Sequence, residues 1–325
     1  MVGLGERMAL HGHLWTIRPW ASHVLRPRHP PPSVPWSTRL EDPITGSLRL
    51  RGRLSTAASV DGSQCLLIVH GLGGDSRSHY VIDTSVAAER AGLAHLRLDL
   101  RGADGSGQDF YNAAITADLR AALASPELAG FRDLFIVGYS LGGHITLRYA
   151  TEDGVDPRVR AVAAVCAPLD LDRSAEAIDQ PARWVYRRHV LAGLKQMYGA
   201  YAAHRHGALA VSATAARAIR TLRAWDEQIV APRFGFSGAS AYYAASSVGP
   251  RLGQLRVPTL MVIAEADPMV PTDTLRPWLA DPHPRLDLRF IDPAGHVGFP
   301  ASLDLGFPAP FGLEGQVLQW LGAQA

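Results

Sequence analysis

Gly138-Tyr139-Ser140-Leu141-Gly142 is the stretch of this sequence best suited to covalent chemistry. The apolar Phe135-Ile136-Val137 precedes it and a helix-forming stretch, 145–150, follows. Gly-x-Ser-x-Gly between a strand and a helix describes a tight turn that projects a serine hydroxyl. Bulkier residues at 138 or 142 would collide with the neighbouring strand and helix. Outside that context the pattern is only a glycine-rich turn; within it, Ser140 is the expected nucleophile.

A serine hydroxyl attacks poorly until a base takes its proton and a carboxylate orients that base. On a doubly wound sheet the partners follow the elbow in the order serine, acid, histidine. Asp267 fits the acid, because it follows the apolar run 260–264 and such sheets place their sites at strand carboxyl ends. His296 fits the base, in Gly295-His296-Val297-Gly298 just after the last apolar run, where the small glycines let a loop carry the imidazole over the serine. Asp170 and Asp172 follow the preceding run and are alternative acids, although the order fits Asp267 better. Glu265 lies nearer the strand end but alternates to a different direction, and Asp292 is expected to cap its own loop.

An oxyanion needs two backbone N–H donors. Leu141, directly after the nucleophile, should supply one. Leu72, in His70-Gly71-Leu72-Gly73-Gly74-Asp75, should supply the other, with His70 as a structural anchor rather than a second base. The glycines there do not make a phosphate loop, since no Lys-Ser/Thr follows. His11 with His13, and His204 with His206, have a spacing that resembles a metal clip, but without further ligands nearby they are expected to be surface histidines.

These residues need a scaffold. Residues 36–54 suggest two antiparallel strands joined near Asp42-Pro43 and Gly46. Short apolar runs follow at 66–69, 94–98, 134–137, 159–165, 260–263 and 286–291, alternating with helix candidates at 77–91, 110–124, 141–151, 273–280 and 313–323. That rhythm predicts an α/β fold with a mostly parallel sheet buried on both faces. Residues 171–249 lack a core strand and are too long for a connecting loop, so an inserted helical cap over the serine is expected. The expected organisation is an N-terminal arm, 1–35, laid over a domain surface, core segments 36–170 and 250–325, and the cap between them.

With 325 residues, 47 % hydrophobic and 19 % charged, the chain can bury a substantial core. A net charge of +2, with basic residues scattered along the chain, gives no argument for nucleic acid. Cys65 and Cys166 stand in apolar runs and suggest no disulfide framework. No signal-peptide pattern and no spanning segment is read, so a cytoplasmic protein is expected.

Five stretches together resemble a known family: Gly12-His13-Leu14-Trp15-Thr16, the His70 loop, the Ser140 elbow, Gly295-His296-Val297-Gly298-Phe299, and Trp225-Asp226-Glu227 through Ile229-Val230-Ala231-Pro232 to Tyr242-Tyr243 and Ser246. The chain resembles the YheT-like branch of the α/β-hydrolase superfamily, related to medium-chain esterases and alcohol O-acyltransferases. The resemblance implies an α/β-hydrolase fold, with nucleophile, acid and base on Ser140, Asp267 and His296. It also implies a serine esterase acting on a small-molecule carboxylic ester of short or medium acyl chain, with no metal or organic cofactor. The alternatives are an acyltransferase using the same acyl-enzyme and a non-catalytic ligand-binding member of the fold. Trp15 stands where glutamine is expected, and His144 where asparagine is usual.

Overall fold

The computed structural model describes residues 4–56, 62–205 and 209–325. Its strands are β1 (Val34–Asp42), β2 (Gly46–Ser55), β3 (Gln64–Val69), β4 (Ala94–Asp99), β5 (Asp133–Tyr139), β6 (Val159–Val165), β7 (Thr259–Ala264) and β8 (Leu286–Ile291). They form one eight-stranded sheet in the order β1-β2-β4-β3-β5-β6-β7-β8. β1 and β2 form an antiparallel hairpin, β2 pairs antiparallel to β4, and β3 to β8 run parallel.

The helices that matter for the site are α1 (Leu4–Leu25), α2 (His79–Arg90), α3 (Ala117–Leu123), α4 (Leu141–Ala150), α5 (Leu171–Asp179) and α6 (Trp184–His204). Both faces of the parallel strands are covered, which explains their continuous apolar runs. Leu66, Ile68, Phe135 and Val137 face α2 and the C-terminal helix Leu313–Gly322. Their neighbours Leu67, Val69, Leu134 and Ile136 face the side of α3 and α4. The strand order places β5 near the centre of the sheet, with Ser140 at its carboxyl end.

Between β6 and β7 the described residues form helices and no strand. After α5 and α6 come Ala213–Ala218, Leu222–Trp225, a π-helical turn Asp226–Val230, Ala231–Arg233 and Ala239–Ser246. Edge-to-face contacts from Phe110 to Tyr198, Tyr201 and Phe234 fasten this segment to the core. Arg233 adds an ion pair of 3.0 Å to the fully buried Asp109.

Two local expectations change, and the arm takes a definite form. The helix expected over 110–124 begins only at Ala117, because the Ala113 N–H bonds to the Tyr242 hydroxyl and Asn112 Oδ1 takes the Ala114 N–H. Residues 273–280 form two 3₁₀ turns, Thr272–Thr274 and Arg276–Trp278, since Pro277 has no N–H with which to continue a helix. The arm is largely the helix α1, with Pro19 inside it. The face it packs inward is built of Gly12, Trp15, Thr16 and Pro19 rather than aliphatic side chains. No described helix is long and apolar enough to cross a membrane.

Candidate active site

Ser140 has φ 52° and ψ −119°, the strained turn that an elbow requires. Its amide donates to the Val165 carbonyl at 2.8 Å, tying the turn to the next strand. The close packing is visible at Gly142, where a Cβ would lie 2.3 Å from the His70 carbonyl oxygen. At Gly138 a Cβ would lie 2.3 Å from the Gly142 carbonyl oxygen. Neither position admits a side chain without moving backbone.

The structure brings Ser140, His296 and Asp267 into one hydrogen-bonded line. His296 Nδ1 is 2.8 Å from Asp267 Oδ2, and His296 Nε2 is 2.9 Å from Ser140 Oγ. A carboxylate only accepts, so Nδ1 carries the proton and Nε2 is free to accept from the serine hydroxyl. The other carboxylate oxygen of Asp267 accepts from the Met269 and Val270 amides at 2.8 and 2.9 Å. Both Asp267 and His296 are buried, so the pair works in a medium where charge interactions are strong.

The alternative acids are engaged elsewhere. Asp170 caps α5 through the Arg173 amide, Asp172 pairs with Arg223, and Glu265 pairs with Arg276 at 2.9 Å. Asp292 is exposed. His13 Nδ1 bonds the Tyr186 hydroxyl at 2.6 Å, His11 and His204 are exposed, and His206 lies outside the described residues.

The loop after β3 is oriented from behind. His70 is fully buried, with Nδ1 2.8 Å from the Gly71 carbonyl oxygen and Nε2 accepting from the Leu100 amide at 3.1 Å. That pattern uses a neutral ring, and burial lowers the pKa accordingly. The Gly71 and Gly73 amides donate to the hydroxyls of Tyr80 and Tyr111. The Leu72 and Leu141 amides have no acceptor among the described residues, and both residues line the cavity in front of Ser140.

Three non-glycine residues have positive φ among those described: Ser140, Cys166 and Val297. All three surround the imidazole. The Val297 amide lies 3.4 Å from Cys166 Sγ, whose thiol is pushed up by burial and by the Asp267 carboxylate and so stays protonated. The His296 amide donates to Thr16 Oγ1 at 2.8 Å, and that hydroxyl donates to the Gly12 carbonyl at 2.7 Å. A Cβ on Gly12 would sit 1.8 Å from the Ala266 carbonyl oxygen, beside Asp267. Pro19 has no N–H to return to the Trp15 carbonyl, and Gly298 packs against that same oxygen, where a Cβ would lie 2.0 Å away. Helix α1 is therefore the outer wall of both the acid and the histidine loops.

A cavity of about 540 Å³ opens on Ser140. Ile178, Val190, Leu194 and Trp225 from the helical segment form part of an apolar lining, and Ile17 and Trp20 of α1 close one side. A single buried carboxyl, Asp226, also lines it; burial raises its pKa to about 7, and the Tyr243 hydroxyl donates to it at 2.6 Å.

This architecture has a sequence signature of its own, and the model of the "alpha/beta hydrolase fold" family matches residues 64–301. The chain belongs to this family. Among curated proteins, this α/β hydrolase is similar to "Putative esterase YheT" of Escherichia coli (strain K12), at 28 % identity over 79 % of this chain and 76 % of the relative. It is also similar to "Medium-chain fatty acid ethyl ester synthase/esterase 2" of Saccharomyces cerevisiae, at 27 % identity over 72 % of this chain. The match covers 57 % of that longer yeast protein. These relatives support the YheT-like assignment within the family. Among solved structures, the Pyrococcus furiosus esterase Pf2001 superposes with a TM-score of 0.51 at 15 % identity, covering 82 % of this chain and 85 % of that one, a likeness of fold.

Two residues of this hydrolase's site escaped the sequence reading. Thr16 stands in the arm stretch already singled out, but its partner is 280 positions away. Asp226 stands in the distinctive Trp225-Asp226-Glu227 segment, and the signal was there: an acidic pair, Asp226-Glu227, inside an otherwise apolar, basic helical stretch.

Proposed function

We propose that the chain is a serine esterase that hydrolyses carboxylic esters of short to medium acyl chain through an acyl-enzyme. The observation that carries this reading is the line Asp267–His296–Ser140, with successive contacts of 2.8 and 2.9 Å, opening on an apolar cavity. Its volume of about 540 Å³ falls in the range of small-molecule sites.

In this reading Ser140 Oγ attacks the ester carbonyl as its proton passes to His296 Nε2. Asp267 holds the Nδ1–H and stabilises the imidazolium. The Leu72 and Leu141 amides receive the oxyanion. Collapse of the tetrahedral intermediate breaks the bond to the alkoxy oxygen, which leaves as alcohol with the proton from Nε2. Water then gives its proton to the freed imidazole and attacks the acyl-enzyme, releasing the acid and restoring the Ser140 hydroxyl. Residues 171–249 act as the cap, excluding bulk water and limiting acyl length.

The test is hydrolysis of p-nitrophenyl esters from acetyl to palmitoyl, comparing the unaltered protein with Ser140→Ala. A chain-length optimum that vanishes in Ser140→Ala supports the reading; equal turnover in both proteins contradicts it.

A further inference from the structure

Helix α1 is apolar on the wrong side. Gly12, Trp15, Thr16 and Pro19 face the protein, and with 3.6 residues per turn the opposite side carries Leu10, Leu14, Ile17 and Val24. Those four are 44–67 % exposed, where a surface helix ordinarily carries charge. Trp20, beside them, is half exposed, and so are Trp184 and Val185 at the start of α6. The His13–Tyr186 hydrogen bond and ring stack, with centroids 5.6 Å apart, join the two helices at this point. Single exposed apolar residues are ordinary; a stripe continued across two helices is not.

The same two regions separate charge. Residues 10–40 and 180–225, which hold the stripe, contain twelve arginines and lysines and no aspartate or glutamate, although the whole chain has a net charge of only +2; among them Arg28 and Arg223 are paired with Asp83 and Asp172. Arg18, Arg26 and Arg188 are exposed and have no carboxylate partner among the described residues. The stripe also borders the site: Ile17, Trp20 and Val185 are at once solvent-exposed and part of the cavity lining.

We propose that the exposed faces of α1 and the start of α6 form a docking surface for an anionic lipid bilayer, with the cavity mouth turned toward it. Leucine, isoleucine and valine would enter the headgroup–acyl boundary, the two tryptophans would lie at its level, and the unpaired arginines would meet anionic headgroups. The occupant follows from the charge: a second copy would set this basic surface against itself, whereas an anionic bilayer complements both the apolar stripe and its arginine rim. A lipid ester could then pass from the bilayer into the cavity without crossing water. That last step rests on the esterase reading, but docking does not, so the two can fail separately.

The experiment is co-sedimentation of the full chain with vesicles of phosphatidylcholine alone and of phosphatidylcholine with about one third phosphatidylglycerol. Binding to the anionic vesicles should exceed binding to the neutral ones at least tenfold, and should weaken as salt rises. The double variant Leu14→Asp/Val24→Asp, whose altered side chains lie outside the cavity, should lose at least tenfold in vesicle binding while hydrolysing a soluble ester normally. A blue shift of tryptophan emission on adding anionic vesicles to the unaltered protein is the expected independent readout, free of any folding defect in the variant. No sedimentation and no emission shift with either vesicle overturns the proposal. So does a stable dimer that the double variant dissolves, which would make a second copy the occupant.

Discussion

The Ser140 elbow and helix α1 meet at the same imidazole, one from each side, and they are built on opposite plans. The elbow is local: strand, glycine, serine, glycine and helix follow one another between Asp133 and Ala150, and the turn is held by the strand ends beside it, through the Ser140–Val165 bond and the packing of Gly142 on His70. Helix α1 is assembled at long range. Its Gly12 meets Ala266, its Trp15 meets Gly298 and its Thr16 holds the His296 amide. On the proposed esterase reading this is a division of labour, in which the elbow supplies the reacting atom and the arm fixes the loops that activate it.

Four perturbations probe this division, beginning with the largest effect. Ser140→Ala should lower ester turnover by about 10⁴-fold or more with an unchanged circular dichroism spectrum, because the only reacting oxygen is lost. The elbow should also carry an acid liability. Buried His144 lies 2.8 Å from the Pro168 carbonyl oxygen and 2.9 Å from that of Ser246, and burial lowers its pKa from 6.5 to about 4. A depressed histidine pKa means that the unfolded chain binds the extra proton first, so this stability is complete above pH 6.5 and declines as pH falls toward 4. The loss by pH 4 should be roughly 3 kcal/mol, and urea denaturation across this range should show a flatter decline in His144→Asn.

Gly12→Val places a side chain where the Ala266 carbonyl oxygen already sits, and should destabilise by about 1–3 kcal/mol. Thermal melting and turnover should fall together, because α1 cannot lift away without releasing both loops. The smallest effect belongs to Thr16→Val, which removes one hydrogen bond of about 1 kcal/mol from the His296 amide. It should reduce kcat by roughly fivefold with KM little changed, and Thr16→Ser should restore it. A Thr16→Val protein with unaltered kcat and a lowered melting temperature would make α1 a structural brace only.

The same contrast explains what could be read in the sequence. The parallel strands announce themselves because both sheet faces are covered, so 66–69, 134–137 and 260–263 are continuous apolar runs. The elbow is written in five adjacent residues. Asp267 and His296 could be singled out by chain order and by their place after strands, and the His296 ring stands in hydrogen-bonding distance of Asp267 on one side and of Ser140 on the other. Helix α1 was not legible as a helix. Its inner face depends on the absence of side chains at Gly12 and on a carbonyl freed by Pro19, and neither produces a hydrophobic period. Residues 273–280 failed for a simpler reason, since Pro277 breaks a pattern that composition alone would extend. Thr16 could not be assigned a role at all, because a single side chain-to-amide bond across 280 positions leaves no mark on spacing.

The most direct test of the central claim is reaction with a fluorophosphonate, followed by intact mass and peptide mapping of the unaltered protein and of His296→Ala. A single adduct on Ser140, formed at a rate that collapses in His296→Ala, is the predicted result. No adduct, or one formed equally fast without the imidazole, would contradict the account.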